Sequence, residues 1–189
     1  LKKIILRAKS SGLVARVGCE YEWFNFRETP ESIHNKNFVN PSPLTPGMFG
    51  YSLLRSGENQ DFFNSLMDSL EAFGVPLEGL HTETGPGVYE AAIINSEALE
   101  AADRATLFKF AAKRIATHHG ITASFMARWN EKLPGCSGHI HQSIWDLDGK
   151  NNLFYRAEND EKLSSFMESY MAGVLLCLPE ILPMYAPTI

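Results

Sequence analysis

The sequence predicts an α+β fold, in which antiparallel strands form the wall of a site and helices pack beside them. Segments with the period of two expected of strands alternate with segments that repeat every three or four residues, as helices do. The hydrophobic fraction of 44% and the charged fraction of 21% are ordinary for a globular protein. A chain of 189 residues can bury one core, as one domain or as most of a larger one.

The first half of the chain predicts a helix, a strand, a long loop and a second helix. Basic and apolar residues alternate at helical spacing over residues 1–11, and Gly12 should end that helix. Residues 13–26 are rich in Val, Tyr, Trp and Phe, which favour a strand. Residues 29–57 are rich in Pro, Asn, Ser and Gly and predict an irregular loop of a length that is often functional. An amphipathic helix should follow over residues 59–73 and end at Gly74.

The second half predicts three further groups of elements. Residues 77–94 should form two strands around a Gly-Pro-Gly turn, and residues 96–119 a long helix with Ser96 as its N-cap and Gly120 after its end. Strands are expected over residues 121–129 and 139–145, followed by a turn at residues 146–149. The last predicted helix covers residues 160–178 and ends before Pro179.

Composition disfavours several classes of protein. The net charge of −5 argues against a nucleic-acid-binding protein, which needs a basic face. No apolar stretch reaches the roughly 20 residues that span a bilayer, so no membrane partner is expected. The cysteines are far apart, odd in number and without a Cys-x-x-Cys pair, which argues against a disulfide framework or a zinc–thiolate site: Cys19, Cys136 and Cys177. A reducing, cytoplasmic location fits this pattern.

Three residue pairs indicate a site for hard divalent cations. In two of them one residue separates the partners, so both side chains project from the same face of a strand. The third pair flanks the Gly-Pro-Gly turn. In chain order the pairs are Glu20/Glu22, Glu83/Glu90 and His139/His141. Four carboxylates and two imidazoles are typical of a wall that binds such cations.

Each pair also has an ordinary structural explanation. A Glu-x-Glu strand is usually a solvated face, His-x-His is more often core packing, and Gly-Pro-Gly alone predicts only a hairpin or bulge. Glu20 and Glu22, however, are interleaved with Tyr21, Trp23 and Phe24, where two like charges would need a cation. The combination of the three pairs therefore favours the metal site.

Four segments resemble, in order and spacing, the catalytic domain of the glutamine synthetases. Residues 18–26 (Gly-Cys-Glu-Tyr-Glu-Trp-Phe-Asn-Phe) resemble that family's Glu-x-Glu strand, and residues 81–90 (His-Thr-Glu-Thr-Gly-Pro-Gly-Val-Tyr-Glu) its Glu-containing hairpin. Residues 124–127 (Ser-Phe-Met-Ala) and 134–145 (Pro-Gly-Cys-Ser-Gly-His-Ile-His-Gln-Ser-Ile-Trp) resemble its later Gly-rich loop region and His-x-His strand. The pattern is most similar to the class I branch, which includes γ-glutamyl-amine ligases.

The resemblance implies a two-metal, ATP-dependent site that forms an amide on the γ-carboxylate of glutamate. The implied ligands of the first Mg²⁺ or Mn²⁺ ion are Glu22, Glu83 and Glu90. Those of the second ion, beside the phosphates of ATP, are Glu20 and His139. His141 would lie near phosphate and substrate, and Gly135 in the loop that lines the glutamate pocket.

The resemblance further implies a larger protein and an assembly. Residues 1–189 would be the N-terminal portion of a catalytic domain, without the family's β-grasp domain and C-terminal remainder. Two stacked six-membered rings are the usual class I assembly, so a homo-oligomer is expected. Residues 29–57 are a candidate packing surface, with a flexible surface loop as the equal alternative.

Departures from the family pattern leave two functions open. Val88 stands where the family usually has Gln, Trp129 follows Arg128 where it often has Lys-Pro, and Pro134 stands where it often has Asn. The Val88 hairpin, Trp129 and the loop at residues 136–138 together resemble the lengsin branch, whereas some amine-ligating relatives share Pro134. That branch implies a non-catalytic lens protein with a structural or chaperone-like role beside intermediate filaments, which is the favoured prediction. The alternative is an active ATP-dependent glutamate–ammonia or γ-glutamyl-amine ligase.

Overall fold

A computed structural model describes residues 1–156 and 163–186 and confirms the predicted α+β class. Its elements, in chain order, are α1 (Lys2–Ser10), β1 (Val14–Phe26), α2 (Pro30–Asn35), α3 (Leu53–Glu58), α4 (Gln60–Ala72), β2 (Leu77–Thr82), β3 (Val88–Ile93), β4 (Ser96–Glu97), α5 (Ala98–His118), β5 (Thr122–Ser124), β6 (Gly138–Trp145) and α6 (Ser165–Tyr185). The chain divides into two compact units: the first consists of Leu1–Val17, Ser96–Leu99 and Gln142–Ile189, and the second of Gly18–Asn95 and Glu100–His141.

The second unit is built on an antiparallel sheet. Strand β3 pairs on one side with β2 and on the other with β1, and β5 pairs with the end of β1. Strand β6 also pairs with β1. In this register Trp23 lies opposite Tyr89, and Glu22 lies opposite Glu90. Since directly opposite residues share a face, the sheet separates an aromatic face from a carboxylate face.

The aromatic face packs against helix α5. Trp23 and Phe108 are both fully buried, with ring centroids 5.6 Å apart in an edge-on arrangement. Phe125 completes the group at 5.8 Å from Trp23. Helix α5 turns small residues toward the interior at helical spacing, which lets its backbone approach closely: Ala101, Ala105, Ala111, Ala112 and Ala116 are buried. This core holds the strands that carry the site.

The Gly-Pro-Gly hairpin between β2 and β3 is fixed to β1 through a buried asparagine. The Asn25 backbone amide donates to the Gly87 carbonyl at 2.7 Å, and its side-chain amide donates to the same oxygen at 3.3 Å. Gly87 has a φ of +73°, and a Cβ there would lie 2.3 Å from the Asn25 carbonyl oxygen. Only glycine fits this approach. The contact fixes the position of the two glutamates that flank the turn.

Residues 29–57 are less irregular than predicted, because they contain the short helices α2 and α3. Helix α2 begins with a capping box, in which Thr29 accepts from the Ser32 backbone amide at 3.1 Å. The buried Glu28 carboxylate accepts from Lys36, from the Ser32 hydroxyl at 2.6 Å and from the Ser42 amide at 2.9 Å. The Lys36 ammonium and these two donors lower the pKa of Glu28 to about 2. The segment is therefore anchored at its start.

Several predicted boundaries were wrong, for local reasons. Ser96 does not cap α5: it belongs to the short strand β4, where it pairs with Val17. Strand β5 ends at Ser124 rather than at residue 129, since the chain turns there into the loop before β6.

The last helix begins at Ser165, with the Ser164 hydroxyl accepting from the Met167 amide at 3.0 Å. The predicted start at residues 160–162 lies outside the described residues. The helix does not end before Pro179: Pro179 and Pro183 lie within it, which their fixed φ permits although each removes one backbone donor. None of its residues is buried. By length and composition alone α6 could span a bilayer, contrary to the sequence prediction, although one such helix is weak evidence. The absence of a membrane partner stays a prediction.

Candidate metal and active site

The carboxylate face of the second unit brings together most of the predicted ligands. Pairing places His81 opposite Glu90 on β2 and β3, and Glu90 opposite Glu22 on β3 and β1. These three residues form a row across three strands, and Glu20 lies two positions along β1 on the same face. The alternation of side chains along each strand and the register between the strands together bring these carboxylates and this imidazole close to one another.

Both histidines of the His-x-His strand face Glu20. His139 Nδ1 donates to Glu20 Oε1 at 2.8 Å, and His141 Nε2 lies 3.4 Å from Glu20 Oε2. Both imidazoles are more than half exposed, at 51% and 67% of their side chains. They are therefore accessible to a ligand from solvent, as the sequence prediction requires.

Glu90 is the electrostatic centre of the face. Its side chain is only 10% exposed and contacts the carboxyl of Glu20. Burial, followed by repulsion from Glu20, Glu22 and Glu83, raises the pKa of Glu90 to about 8. The bond from Glu90, and then the neighbouring His139 and His141, lower the pKa of Glu20 against the effect of its burial. A proton held between two carboxylates occupies the position that a cation would otherwise fill.

Glu83 has one oxygen bonded and one buried without a partner. Its Oε1 accepts from the Thr84 backbone amide at 2.7 Å, while Oε2 is buried and has no hydrogen-bond partner in the part of the chain that the structure describes. Burial acts to raise the pKa of Glu83, but the Thr84 amide, the Tyr51 hydroxyl and His81 outweigh it and hold that pKa below its ordinary value. The Tyr51 hydroxyl and His81 already stabilise the ionised form, and a cation bound at the buried Oε2 would stabilise it further.

Glu22 is held by Ser137, a residue that the sequence prediction did not single out. The Ser137 amide donates to Glu22 Oε2 at 3.1 Å and its hydroxyl to Glu22 Oε1 at 2.8 Å. The same hydroxyl oxygen lies 3.3 Å from His139 Nε2, and the Glu22 amide donates to the Ser137 carbonyl at 3.0 Å. Ser137 therefore connects a glutamate expected on the first metal with a histidine expected on the second.

Among the residues that the structure describes, two groups of side chains have ligand atoms within 4.8 Å of one another, close enough to share one metal ion. The first group is Glu20, Glu90 and His139, and the second is His81, Glu83 and Glu90. The expected pairs Glu20/His139 and Glu83/Glu90 are thus each brought together. Glu22 belongs to neither group, and Ser137 donates to both of its oxygens. The donors are carboxylates and imidazoles without thiolates, and they fit Mg²⁺ or Mn²⁺.

Gly135 lies in a tight loop at the side of this face. A Cβ at Gly135 would lie 2.6 Å from the Ala127 carbonyl oxygen, which accepts from the Cys136 amide at 2.8 Å. Trp129 and Cys136 cover a buried cluster of Phe24, Phe26 and Val88. The residues that depart from the family pattern thus fill an apolar support under the loop. Burial raises the pKa of the Cys136 thiol, which therefore stays protonated at neutral pH.

His81 and Ser137 are the residues that sequence reasoning missed. His81 had a usable signal, since it stands two positions before Glu83 and shares its strand face, as Glu20 and Glu22 do. Ser137 had none, because its role depends on how the loop closes on β1. Tyr51 also belongs here: its ring stacks on His81 with centroids 4.7 Å apart.

Fold and site together define a class of protein: an antiparallel sheet with one face on which carboxylates and imidazoles are grouped closely enough to hold a metal ion. Comparison with known proteins gives the family. A sequence profile described as glutamine synthetase, catalytic domain, matches residues 1–189. The chain belongs to the glutamine synthetase family, as the resemblance predicted.

Two sequence relatives and one solved structure illustrate the relationship. The chain is 54% identical over 189 residues to type-1 glutamine synthetase 2 of Dictyostelium discoideum, covering 100% of this chain and 36% of that protein. It is 32% identical over 189 residues to a glutamate–isopropylamine ligase of a Pseudomonas species, covering 100% and 41%. The structure of a GmaS/ADP complex superposes with a TM-score of 0.85 at 25% identity, covering 100% of this chain and 42% of that one. The chain thus spans about two fifths of the length of these relatives.

These relatives bear on the two functions left open by the sequence. Both sequence relatives carry the names of a synthetase or a ligase. They favour the alternative, an active ligase, over the predicted non-catalytic lens role, and they give no support to the lengsin resemblance or to intermediate filament partners. The departures from the family pattern do not remove the carboxylate face, because Val88, Trp129 and Cys136 pack in the apolar cluster beneath the loop.

Proposed function

We propose that this protein is an ATP-dependent ligase that joins the γ-carboxylate of glutamate to ammonia or an amine, with two Mg²⁺ or Mn²⁺ ions. The observation that carries the proposal is the carboxylate face, where two groups of carboxylate and imidazole ligand atoms share the buried Glu90, whose pKa is raised to about 8 by burial and by the neighbouring carboxylates. Grouped and partly buried carboxylates destabilise the fold unless a bound ligand compensates for their charge. The names of the two ligase relatives and the ADP complex of GmaS support the choice of reaction.

The proposed roles follow the sequence prediction. Glu22, Glu83 and Glu90 would hold one ion, and Glu20 and His139 the other. His141 would lie near the transferred phosphate and the substrate, and Gly135 in the loop that lines the glutamate pocket. Bound divalent ions neutralise the charge that develops on phosphate oxygens during phosphoryl transfer, which is what activation of a carboxylate by ATP requires.

The chain's own residues prepare this site in three ways. Glu90 lies between Glu20 and His81, so its carboxylate borders both groups of ligand atoms. Ser137 orients the Glu22 carboxylate through two hydrogen bonds and contacts His139, so it links the two proposed ion sites. The aromatic core behind β1 keeps the strand register rigid, which fixes the spacing of the carboxylates.

The proposal extends to assembly and location. Residues 29–57 expose several apolar side chains, which fits the expected packing surface of a homo-oligomer: Phe38, Val39, Met48, Phe49, Tyr51, Leu53 and Leu54. Two stacked six-membered rings are the proposed arrangement. All three cysteines are free thiols, which supports a cytoplasmic location.

Glutamate-dependent ADP formation tests the proposed function. With ATP, Mg²⁺ or Mn²⁺ and an amine, the purified protein should form ADP only when glutamate is present. Glu83→Ala should abolish this activity, because it removes a proposed ligand with a buried free oxygen. Glu78→Ala is the matched control, since Glu78 is an exposed glutamate of strand β2, which leads to Glu83, and its loss should leave the rate unchanged. ADP formation that ignores glutamate, or that survives Glu83→Ala, would contradict the proposal.

A further inference from the structure

His81 lies inside the carboxylate face, and none of the roles proposed above uses it. It is opposite Glu90 in the β2–β3 register and two positions before Glu83 on the same strand face. We propose that His81 Nε2 is a ligand of the ion held by Glu83 and Glu90. That ion site would then prefer first-row transition cations such as Mn²⁺ or Co²⁺ over Mg²⁺. The inference rests on the proposed function, because it concerns the same site.

Distances support a shared ion rather than a direct bond. His81 Nε2 is 3.5 Å from Glu90 Oε2, and His81 Nδ1 is 4.0 Å from Glu83 Oε2. Both separations are longer than a good hydrogen bond. Ligands about 2.1 Å from one ion lie about 3 Å from their neighbours, so a small contraction around a cation would bring these atoms into place.

The tautomer of His81 leaves the correct nitrogen free. Its Nδ1 lies 3.1 Å from the Thr82 carbonyl oxygen, and a carbonyl can only accept, so Nδ1 carries the proton. In the neutral ring Nε2 then presents a lone pair toward Glu90. A hydrogen bond from the distal nitrogen to a carbonyl is the usual support of a metal-bound histidine. Tyr51, stacked on the ring at an interplanar angle of 30°, fixes its orientation further.

A second observation points to a ligand at this place. Glu83 Oε2 is buried and has no hydrogen-bond partner among the described residues, although Oε1 of the same carboxylate is satisfied by the Thr84 amide. Leaving a charged oxygen desolvated and without a partner is unfavourable. A cation between Glu83, Glu90 and His81 would satisfy that oxygen.

The proposed preference follows from ligand chemistry. Mg²⁺ binds oxygen almost exclusively, whereas an imidazole nitrogen adds affinity for transition cations. Carboxylates together with the His81 imidazole should therefore discriminate more strongly than the same carboxylates alone. The alternative is that His81 only forms ion pairs with Glu83 and Glu90, in which case it adds nothing to metal selectivity.

Pulsed electron paramagnetic resonance of Mn²⁺ bound to the purified protein tests this, without any need for turnover. The wild type should show nitrogen coupling from His81 and from His139. His81→Gln and His139→Gln should each remove one coupling, and the double variant both. His81→Gln should also weaken Mn²⁺ binding by at least about tenfold while changing Mg²⁺ binding much less. His118→Gln, an exposed histidine of α5, is the control.

The outcomes separate this inference from the proposed function. If Mn²⁺ binds and His81→Gln keeps the full nitrogen coupling, the inference is overturned and the proposed function stands. Nitrogen coupling that persists in the double variant would assign the ligand to His141 and would also overturn it. If the folded wild type binds no divalent cation, the proposed function itself fails. Should His81→Gln not fold, His81→Phe retains a ring against Tyr51 and removes both nitrogens.

Discussion

The two faces of strand β1 differ in how their side chains are stabilised. On one face, Trp23 lies opposite Tyr89 and packs against Phe108, and all three side chains are fully buried by the chain itself. On the other, Glu22 lies opposite Glu90, and the carboxylates around them repel one another. Alternation along a single strand thus places a completed core against an incomplete electrostatic site.

The side chains of the aromatic face stabilise the fold, whereas the fold keeps the side chains of the carboxylate face in position. The aromatic face gains from burial, which contributes roughly 25 cal/mol per Å² of apolar surface. The carboxylate face lowers stability unless a proton or a cation compensates its charge. The strands can carry such a face because the opposite one is well packed. Substitutions on the two faces should therefore have opposite effects on stability.

The largest effect is expected on the aromatic face. Trp23→Ala should lower the free energy of unfolding by about 3–5 kcal/mol, because it leaves a cavity between Tyr89 and Phe108. Urea denaturation measures the change. The half-exposed Phe73, which follows helix α4, is the control, and Phe73→Ala should cost less than about 1 kcal/mol. Equal losses at the two positions would contradict the assignment of the core.

The carboxylate face should show the reverse. Burial and the neighbouring carboxylates raise the pKa of Glu90 in the folded state to about 8, from its ordinary value of 4.5. Between about pH 4.5 and pH 8 the folded state keeps the proton on Glu90, whereas the unfolded state has lost it. The free energy of unfolding therefore falls as the pH rises through this range. Glu90→Gln should therefore raise the stability of the metal-free protein at pH 8, by about 1–3 kcal/mol, and abolish stabilisation by Mn²⁺.

Thermal or urea unfolding at pH 5 and pH 8, with and without Mn²⁺, would measure both effects. Glu78→Gln on strand β2 is the control and should leave the pH dependence and the metal effect unchanged. A Glu90→Gln variant that is less stable than the wild type at pH 8 without metal would show that Glu90 supports the fold rather than a ligand.

The smallest effect concerns the residue that spans the two proposed ion sites. Ser137→Ala removes the hydroxyl that donates to Glu22 and contacts His139, while the backbone bond to Glu22 remains. Loss of such a supporting group should weaken Mn²⁺ binding by about tenfold, with stability nearly unchanged. Calorimetric titration of Mn²⁺ checks this, with Ser69→Ala on the exposed face of α4 as the control. An unchanged affinity would make Ser137 a loop residue without influence on the ions.

Much of the fold could be predicted because the signals are local. Helices α4 and α5 and the hairpin at Gly87 follow from periodicity and turn residues within a single segment. The helices within residues 29–57 were missed, since the composition is that of a loop and the anchor at Glu28 depends on partners as far as Ser42. The end of α6 was also missed, because the helix continues through Pro179 and Pro183 although each removes a backbone donor and disfavours the helix locally.

The site divides in the same way. Each predicted glutamate and histidine belongs to a motif of a few consecutive residues, which can be recognised in the sequence. The structure places Glu20 near His139 and Glu83 near Glu90. What could not be predicted is which oxygens are already occupied. The engagement of Glu22 by Ser137 depends on a contact over 115 positions in sequence. The placement of His81 depends on the β2–β3 register, which only pairing determines.

The carboxylate face is proposed to bind a metal–nucleotide complex for ligation. Calorimetric titration of MnATP into the purified protein, with and without glutamate, tests this proposal most directly. Binding of MnATP that glutamate strengthens is the predicted result, because the two ions and both substrates would share one site. Folded protein that binds no MnATP, whether or not glutamate is present, would contradict the account.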